Sequence, residues 1–296
     1  MNRLPVEPPT AARAADTGTP RSPAPDPGPE VLDRRVGALG EIVLRRHGEL
    51  LQVIANGCFL MDTSDGRSER LLVRAARDLL VGRRGEGARP GAPPGTPPAE
   101  AAPALLIGGL GVGFSLDEAA ADPLWGSITV VEREAAVLEW HRDGPLGRFT
   151  ERARADRRTS LVHADLMAHL RAPGAPWDAM CLDIDNGPDW TVSPDNSRLY
   201  SPRGLSECHD RLTPGGVLAV WSAQPSADFE AALCAAGFDA VRTVEVPVAR
   251  GVPDVVHLAA RAAWPRPHRG STLLPTVKES QHQPAGSGHL PGAGPP

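Results

Sequence analysis

The sequence predicts an α/β protein: a mostly parallel sheet, preceded by a small antiparallel β meander and ended by an antiparallel hairpin. Three observations support this prediction. Strand and helix patterns alternate from Ala104 onward, a glycine turn follows the first of these strands, and the last two strands have no helix between them. Alternating strands and helices indicate a parallel sheet covered by helices. Consecutive strands without a helix between them form an antiparallel pair.

Composition separates the parts of this 296-residue chain that can fold from those that cannot. Much of its 31 Gly and 32 Pro lies in residues 1–30, 81–103 and 263–296. Segments of this composition cannot form a packed core. We therefore expect disordered tails at 1–30 and 263–296, a meander with a helix over 36–80, a linker at 81–103 and an α/β domain over 104–262.

Charge and hydropathy exclude several classes of function. A formal net charge of -5 argues against a nucleic-acid partner, because neutralising phosphates requires a basic surface. The sequence has neither the roughly 18 consecutive apolar residues of a membrane span nor the apolar core of a signal peptide. A cytoplasmic protein without a membrane partner is the resulting expectation. The four cysteines have no CxxC spacing, so no metal is expected.

Local patterns place the elements along the chain. Between Gly40 and Asp62, apolar and polar residues alternate around turns at His47-Gly48 and Asn56-Gly57, which predicts the meander. A helix follows from Ser68. Further strands are predicted at 104–108, 128–132, 159–163, 178–184, 217–222, 239–247 and 254–260. Further helices are predicted at about 113–121, 133–141, 165–171, 203–212 and 226–236, with a turn at 213–216.

The segment LLIGGLGVG, residues 105–113, is the strongest functional signal. Glycine has no Cβ, so Gly109, Gly111 and Gly113 permit a tight turn and a close approach of a nucleotide to the backbone. The next strand ends in Glu132, whose carboxylate can accept hydrogen bonds from ribose hydroxyls. Together they predict a site for an adenosine-containing molecule.

Acidic residues follow two more strands. Asp165 either caps a helix or contacts the adenine, and one residue can do both. Asp183 and Asp185 lie in WDAMCLDIDNGP, after an apolar strand. Carboxylates there can hold an amine, pair with a sulfonium or take a proton from a nucleophile, although one of them can instead cap the following segment.

These motifs resemble a known family. The G-x-G-x-G spacing is similar to the first motif of class I S-adenosylmethionine-dependent transferases. From about Glu41 to Ala260, the order of elements resembles the spermidine/spermine synthase family, aminopropyltransferases on the class I methyltransferase fold with a small N-terminal β domain. The segments that carry the resemblance are IGGLGVG, VERE, HADLMAHL, WDAMCLDIDNGP and NSRLY.

The resemblance implies a transferase that moves an aminopropyl group to an amine. Gly109, Gly111 and Gly113 would line S-adenosylmethionine or its decarboxylated form, with Glu132 on the ribose and Asp165 on the adenine. Asp183 or Asp185 would orient or deprotonate the small-molecule amine acceptor. The remaining implied features are acceptor binding by Asn186 and Tyr200, and a homodimer paired through the meander.

Departures from the family pattern leave two alternatives. Leu110 or Val112 lies in the region of the family's glycine loop where an Asp holds the aminopropyl amine. The family's pair of active-site aspartates maps to Asp183 and Asn186, so the second carboxylate is missing unless Asp185 substitutes. One alternative is therefore a methyltransferase that uses intact S-adenosylmethionine. The other is a non-catalytic relative that only binds nucleotide.

Overall fold

The computed structural model describes residues 28–87, 102–191, 193–246 and 251–263. Most of the two expected tails, and residues 88–101 of the expected linker, lie outside the described residues.

A seven-stranded mixed sheet forms the centre of the fold and confirms the predicted class. Its strand order is β10-β11-β9-β8-β5-β6-β7. The strands are β5 (Ala104–Gly108), β6 (Ser127–Glu132), β7 (Thr159–His163), β8 (Trp177–Leu182), β9 (Leu212–Ser222), β10 (Phe238–Val246) and β11 (Asp254–Arg261). Strands β5 to β9 pair in parallel, whereas β11 runs antiparallel to both β9 and β10.

Helices cover both faces of this sheet. They are α1 (Arg67–Gly87), α2 (Phe114–Ala121), α3 (Ala135–Arg142), α4 (Gly147–Ala155), α5 (Leu166–Arg171), α6 (Ser197–Tyr200), α7 (Pro202–Arg211) and α8 (Ala227–Ala235). Successive strand side chains point to opposite faces. Ile107 and Cys181 therefore pack in one core cluster, and Leu106 and Met180 in the other. Apolar residues in continuous runs suit strands that are buried on both faces.

The predicted turn at 213–216 is wrong, because these residues belong to β9. Leu212 pairs with Trp177, and the register then shifts so that Val217 pairs with Ala179. The extra residues form a bulge in which Gly215 has φ +81°. Gly and Pro here therefore indicate an irregular part of β9, and the strand begins before them.

A second sheet of four antiparallel strands precedes the central one. Its strands are β1 (Glu30–Gly37), β2 (Gly40–His47), β3 (Leu50–Ala55) and β4 (Cys58–Asp62). The meander prediction covered the last three strands. Strand β1 was missed, and residue 30 was expected in the disordered tail. Most β1 side chains are exposed and many are charged, so the strand lacks the apolar alternation that identifies a strand.

Contacts distant in sequence hold β1 in place. The Trp140 indole N–H donates to Asp33 Oδ2 at 2.8 Å, and Arg35 pairs with Glu139. Both partners of β1 lie on α3, which follows the strand that ends at Glu132. The β1–β2 hairpin is thereby attached to α3.

Replacing Trp140 by Phe is expected to loosen β1 selectively, because a hydrogen bond to a carboxylate contributes on the order of 1.5 kcal/mol. Amide hydrogen exchange over β1 should become about tenfold faster relative to the core. Trp125→Phe is the matched control, since the buried Trp125 N–H has no hydrogen-bond partner among the described residues. If both variants changed β1 exchange equally, the bond to Asp33 would not hold the strand.

Two helices also differ from expectation. Helix α1 continues to Gly87 and so enters the segment expected as a linker from residue 81. Arg83 and Arg84 anchor its last turns through Asp239 at 3.1 Å and Asp178 at 2.9 Å. Helix α4 was not predicted, because Thr150 and Ala153 are its only buried residues. Within the described ranges, no helix is long and apolar enough to span a membrane.

Candidate functional site

The main cleft lies at the carboxyl ends of β5, β6, β7 and β8. The sheet order reverses between β5 and β8, and ligands of open α/β sheets bind beside such a reversal. The cleft holds about 1090 Å³ of empty space, part of it open solvent. Residues of the N-terminal sheet, among them Leu39, Ile42, Val53 and Met61, form its opposite wall.

The backbone of the glycine loop disfavours side chains at its three glycines. Gly109, Gly111 and Gly113 all have positive φ, at +89°, +51° and +98°. A Cβ at Gly109 would lie 2.2 Å from the Asp183 carbonyl oxygen, and one at Gly111 would lie 2.5 Å from Met61 Sδ. Gly109 and Gly111 line the cleft, whereas Gly113 begins α2 and is not among the lining residues.

The two non-glycine residues of this loop face the core. Leu110 and Val112 are 4% and 2% exposed and belong to the larger core cluster. Since the glycines have no side chain, the loop presents only backbone atoms to the cleft. Any carboxylate that contacts a cationic ligand must therefore come from another element.

Glu132 is buried at the end of β6 and lines the cleft. Its Oε2 accepts a hydrogen bond from Leu110 N at 2.8 Å, and its Oε1 accepts one from Glu134 N at 2.7 Å. Burial raises the pKa of this carboxyl above its usual value. Each carboxylate oxygen has two lone pairs. Glu132 can therefore hold the glycine loop and still accept a ligand hydroxyl.

Asp165 is the N-cap of α5. Its Oδ1 accepts a hydrogen bond from Ala168 N at 2.9 Å, so the capping role is present. The carboxylate also lines the cleft, with Arg133 Nη1 at 3.6 Å from Oδ2. Arg133 pairs in addition with Asp195 at 3.2 Å. Contact of Asp165 with adenine stays a prediction.

Asp183 follows β8, lines the cleft and is influenced by the charges of two other acidic residues. Burial, and next the charge of Glu69, raise its pKa to about 7. The Ser115 hydroxyl can donate to its Oδ2 at 3.3 Å, which stabilises the ionised form, whereas the charge of Asp254 opposes ionisation. The Asp183 carboxyl therefore gains or loses its proton near neutral pH.

Glu69, Asp183 and Asp254 together form what we call the acidic cluster. Burial is the largest cause of a raised pKa at each of the three, and the charge of Asp254 also raises the pKa of Glu69. Neither Glu69 nor Asp254 was predicted as a site residue. Their charges act on Asp183 because α1 and β11 both begin at the carboxyl edge of the central strands. A cation would relieve the repulsion among these groups.

Asp185 has a different environment. Its Oδ1 accepts a hydrogen bond from Asn186 N at 2.8 Å, and its Oδ2 accepts one from Asn196 Nδ2 at 2.7 Å. Ser193 N lies 3.5 Å from the same Oδ2. The carboxylate lines the cleft while it organises the loop after β8. This loop-holding arrangement distinguishes Asp185 from Asp183.

Asn186 and Tyr200 lie beside the cleft and are not among its lining residues. Asn186 is buried, and its carbonyl accepts the Ala223 N–H at 3.0 Å. The Tyr200 ring packs edge-on against Phe229, with 5.7 Å between ring centroids. Burial, and then the charges of Asp185 and Asp183, raise the Tyr200 pKa. Its phenol therefore stays protonated at neutral pH.

In the described part of the chain, no group of three or more His, Cys, Asp or Glu side chains could hold a metal ion.

Comparison with solved structures agrees with this geometry at the level of the fold. The chain is similar to the spermidine synthase of Thermotoga maritima, with a TM-score of 0.60 and 16% identity over 79% of this chain and 74% of that one. A spermidine synthase in complex with the transition state analogue AdoDATO matches with the same figures. No protein-family model and no curated protein sequence matches the chain. The similarity establishes the fold, and the activity must be argued from the site.

Proposed function

We propose that the protein binds a sulfonium nucleotide of the S-adenosylmethionine type and transfers its aminopropyl group to an amine. One observation carries the proposal: Asp183, with a pKa of about 7, borders the cleft that the glycine loop and Glu132 also line. The fold shared with spermidine synthases, one of them solved with a transition state analogue, supports it.

The carboxyl ends of β5, β6 and β7 suit the nucleoside. Gly109 and Gly111 line this part of the cleft with backbone alone, which lets the nucleoside approach it closely. Glu132 would accept hydrogen bonds from the ribose hydroxyls with its remaining lone pairs. Asp165, at the start of α5, would contact the adenine. Gly113 serves this half of the site by allowing the turn into α2.

The charges around the cleft favour the decarboxylated nucleotide. Among the described lining residues, Arg133 is the only Arg or Lys, and it is paired with Asp165 and Asp195. Intact S-adenosylmethionine carries a carboxylate that would lie in this acidic surrounding without a free cationic partner. The decarboxylated form lacks that carboxylate, so only the ammonium group that both forms carry would meet the acidic lining of the cleft.

The reaction would be an in-line displacement at carbon. The acceptor nitrogen forms a bond to the carbon attached to sulfur, the carbon–sulfur bond breaks, and its electron pair leaves a neutral thioether. The attacking amine must be unprotonated, and it loses a proton as its new bond forms. Asp183 takes this proton. A carboxyl with a pKa near 7 is substantially ionised at neutral pH, and its carboxylate is still basic enough to accept a proton from the amine. Asp185 would hold the adjacent loop, with Asn186 and Tyr200 at the acceptor end.

One observation favours methyl transfer as a second candidate. Leu110 and Val112 are buried and Gly111 has no side chain, so the glycine loop offers no carboxylate to an aminopropyl amine. A methyl group needs no such partner.

Calorimetry with each nucleotide separates the candidates. We expect decarboxylated S-adenosylmethionine to bind at least about tenfold more tightly than the intact form, a difference of about 1.4 kcal/mol. Mass spectrometry of a mixture of primary diamines incubated with protein and nucleotide should then show aminopropyl addition. Preference for the intact form with methyl addition would replace the first candidate by the second. A folded protein that binds neither nucleotide would contradict both, and binding without transfer would support the non-catalytic alternative.

A further inference from the structure

We infer that His141 is a positioning residue for the nucleotide, acting through the backbone of the glycine loop. The inference rests on the proposed nucleotide binding. His141 lies on α3, away from the cleft lining, and its side chain is completely buried. Its ring joins the carbonyl of Gly111 to the hydroxyl of Thr150 on α4.

The two ring contacts assign the tautomer. Nε2 lies 2.9 Å from the Gly111 carbonyl oxygen, and a carbonyl only accepts, so Nε2 carries the hydrogen. Nδ1 lies 2.8 Å from Thr150 Oγ1 and accepts the hydroxyl proton. Arg154 Nε, 3.3 Å from the same Oγ1, donates to it from the next turn of α4. Arg154, Thr150 and His141 thus form a hydrogen-bonded chain that ends on the loop.

Gly111 is a loop residue whose backbone conformation such a contact can fix. It lines the cleft, has φ +51° and lacks a side chain that could fix its backbone. A trans peptide carries its N–H opposite its C=O, so holding the Gly111 carbonyl also sets the direction of the Val112 N–H. The Thr150 methyl group fills the space beside Gly113, where a Cβ would lie 2.2 Å from it. The same two side chains therefore fix both ends of the Gly111–Gly113 segment.

The neutral ring suits this role over a wide pH range. Burial lowers the pKa of His141 to about 4, opposed by hydrogen bonding to the backbone of Gly111 and Leu146 and assisted by the charge of Arg154. Near pH 7 the Nδ1 lone pair thus remains available to Thr150. The contact with Gly111 is part of the resting structure and does not require protonation.

Two substitutions separate the contacts of the ring. The amide nitrogen of Gln reaches approximately the position of Nε2, and that of Asn the position of Nδ1. His141→Gln therefore retains a donor for Gly111, whereas His141→Asn loses it. We expect calorimetry with decarboxylated S-adenosylmethionine to show about tenfold weaker binding for His141→Asn and less than about threefold weaker binding for His141→Gln. Both should lower the Tm to a similar extent, since each loses one buried hydrogen bond.

Hydrogen exchange in the unliganded protein tests the same role without a ligand. His141→Asn should accelerate exchange at residues 110–113, and His141→Gln should not. Equal affinity losses in the two variants, or unchanged loop exchange in both, would overturn the inference and leave His141 a structural core residue. If the wild-type protein bound no nucleotide while the loop responded as expected, the proposed function would fail, but the positioning of the loop by His141 would stand.

Discussion

Replacing Asp183 by Asn is expected to lower kcat about 10³-fold and to leave the Kd for the nucleotide nearly unchanged. The amide keeps the shape of the side chain but cannot accept the proton that the amine loses. Release of the thioether product measures kcat, and calorimetry measures the Kd. An equal loss of turnover and affinity would place Asp183 in the nucleotide site instead.

The pKa of Asp183 gives this prediction a pH dependence. Wild-type turnover should rise with pH around a midpoint near 7, as the carboxyl ionises. Stability should change in the opposite direction, because the folded-state pKa is raised from 3.8. The contribution of the protonated carboxyl to stability is complete below about pH 4 and is lost as the pH rises through about 7. Asp183→Asn should therefore have a Tm at pH 8 at least equal to that of the wild type.

Asp185→Asn is the matched control on the same loop. It should disturb the bond to Asn196 and raise the acceptor KM by about tenfold. The pH midpoint of turnover should stay near 7, since Asp183 sets it. Loss of turnover in Asp185→Asn together with an active Asp183→Asn variant would reverse the two roles.

Replacing Gly109 by Ala is expected to weaken nucleotide binding about 100-fold and to lower the free energy of unfolding by about 3 kcal/mol. A left-handed backbone conformation costs a residue with a side chain about 1–2 kcal/mol. Here the new Cβ would also lie 2.2 Å from a backbone oxygen of Asp183, so the ends of β5 and β8 must separate. Chemical denaturation and calorimetry measure the two effects.

Gly215→Ala is the control that measures what the left-handed backbone conformation alone costs in stability. Gly215 has φ +81°, close to that of Gly109, but its added Cβ would meet only the Ala263 side chain at 3.9 Å. We expect a loss of about 1 kcal/mol in stability and no change in nucleotide affinity. Comparable affinity losses in both variants would mean that close packing of the loop on Asp183 is not what the nucleotide requires.

The periodicity of the sequence was enough to predict the central sheet. Segments such as ALLIG in β5 and VLAV in β9 are continuous apolar runs, which suit strands that are covered on both faces. Strand β1 and helix α4 escaped prediction because their side chains are mostly polar. Tertiary contacts hold β1, notably those of Asp33 with Trp140 and of Arg35 with Glu139.

The site residues likewise fall into two groups, those that the sequence predicted and those that only the tertiary structure identifies. Glu132 ends a parallel strand, and Asp165, Asp183 and Asp185 follow such strands, so sequence position alone predicted that they would meet at one edge. Glu69 and Asp254 lie at the start of a helix and of an antiparallel strand, and only the topology brings them to Asp183. Because β11 is antiparallel to its neighbours, its first residue lies at the carboxyl edge of β9, a signal that could have identified Asp254. No local pattern marked His141.

The contact between Met61 and Gly111 affects how this site could change during evolution. A Cβ at position 111 would lie 2.5 Å from the Met61 sulfur, so an acidic residue there requires the flexible end of the Met61 side chain to move. Once residue 61 is small, the left-handed backbone of residue 111 accommodates Asp better than most side chains. Because residues 61 and 111 are in contact, the effects of the two substitutions are not expected to be additive. Directed evolution toward a carboxylate on this loop should therefore vary position 61 together with position 111.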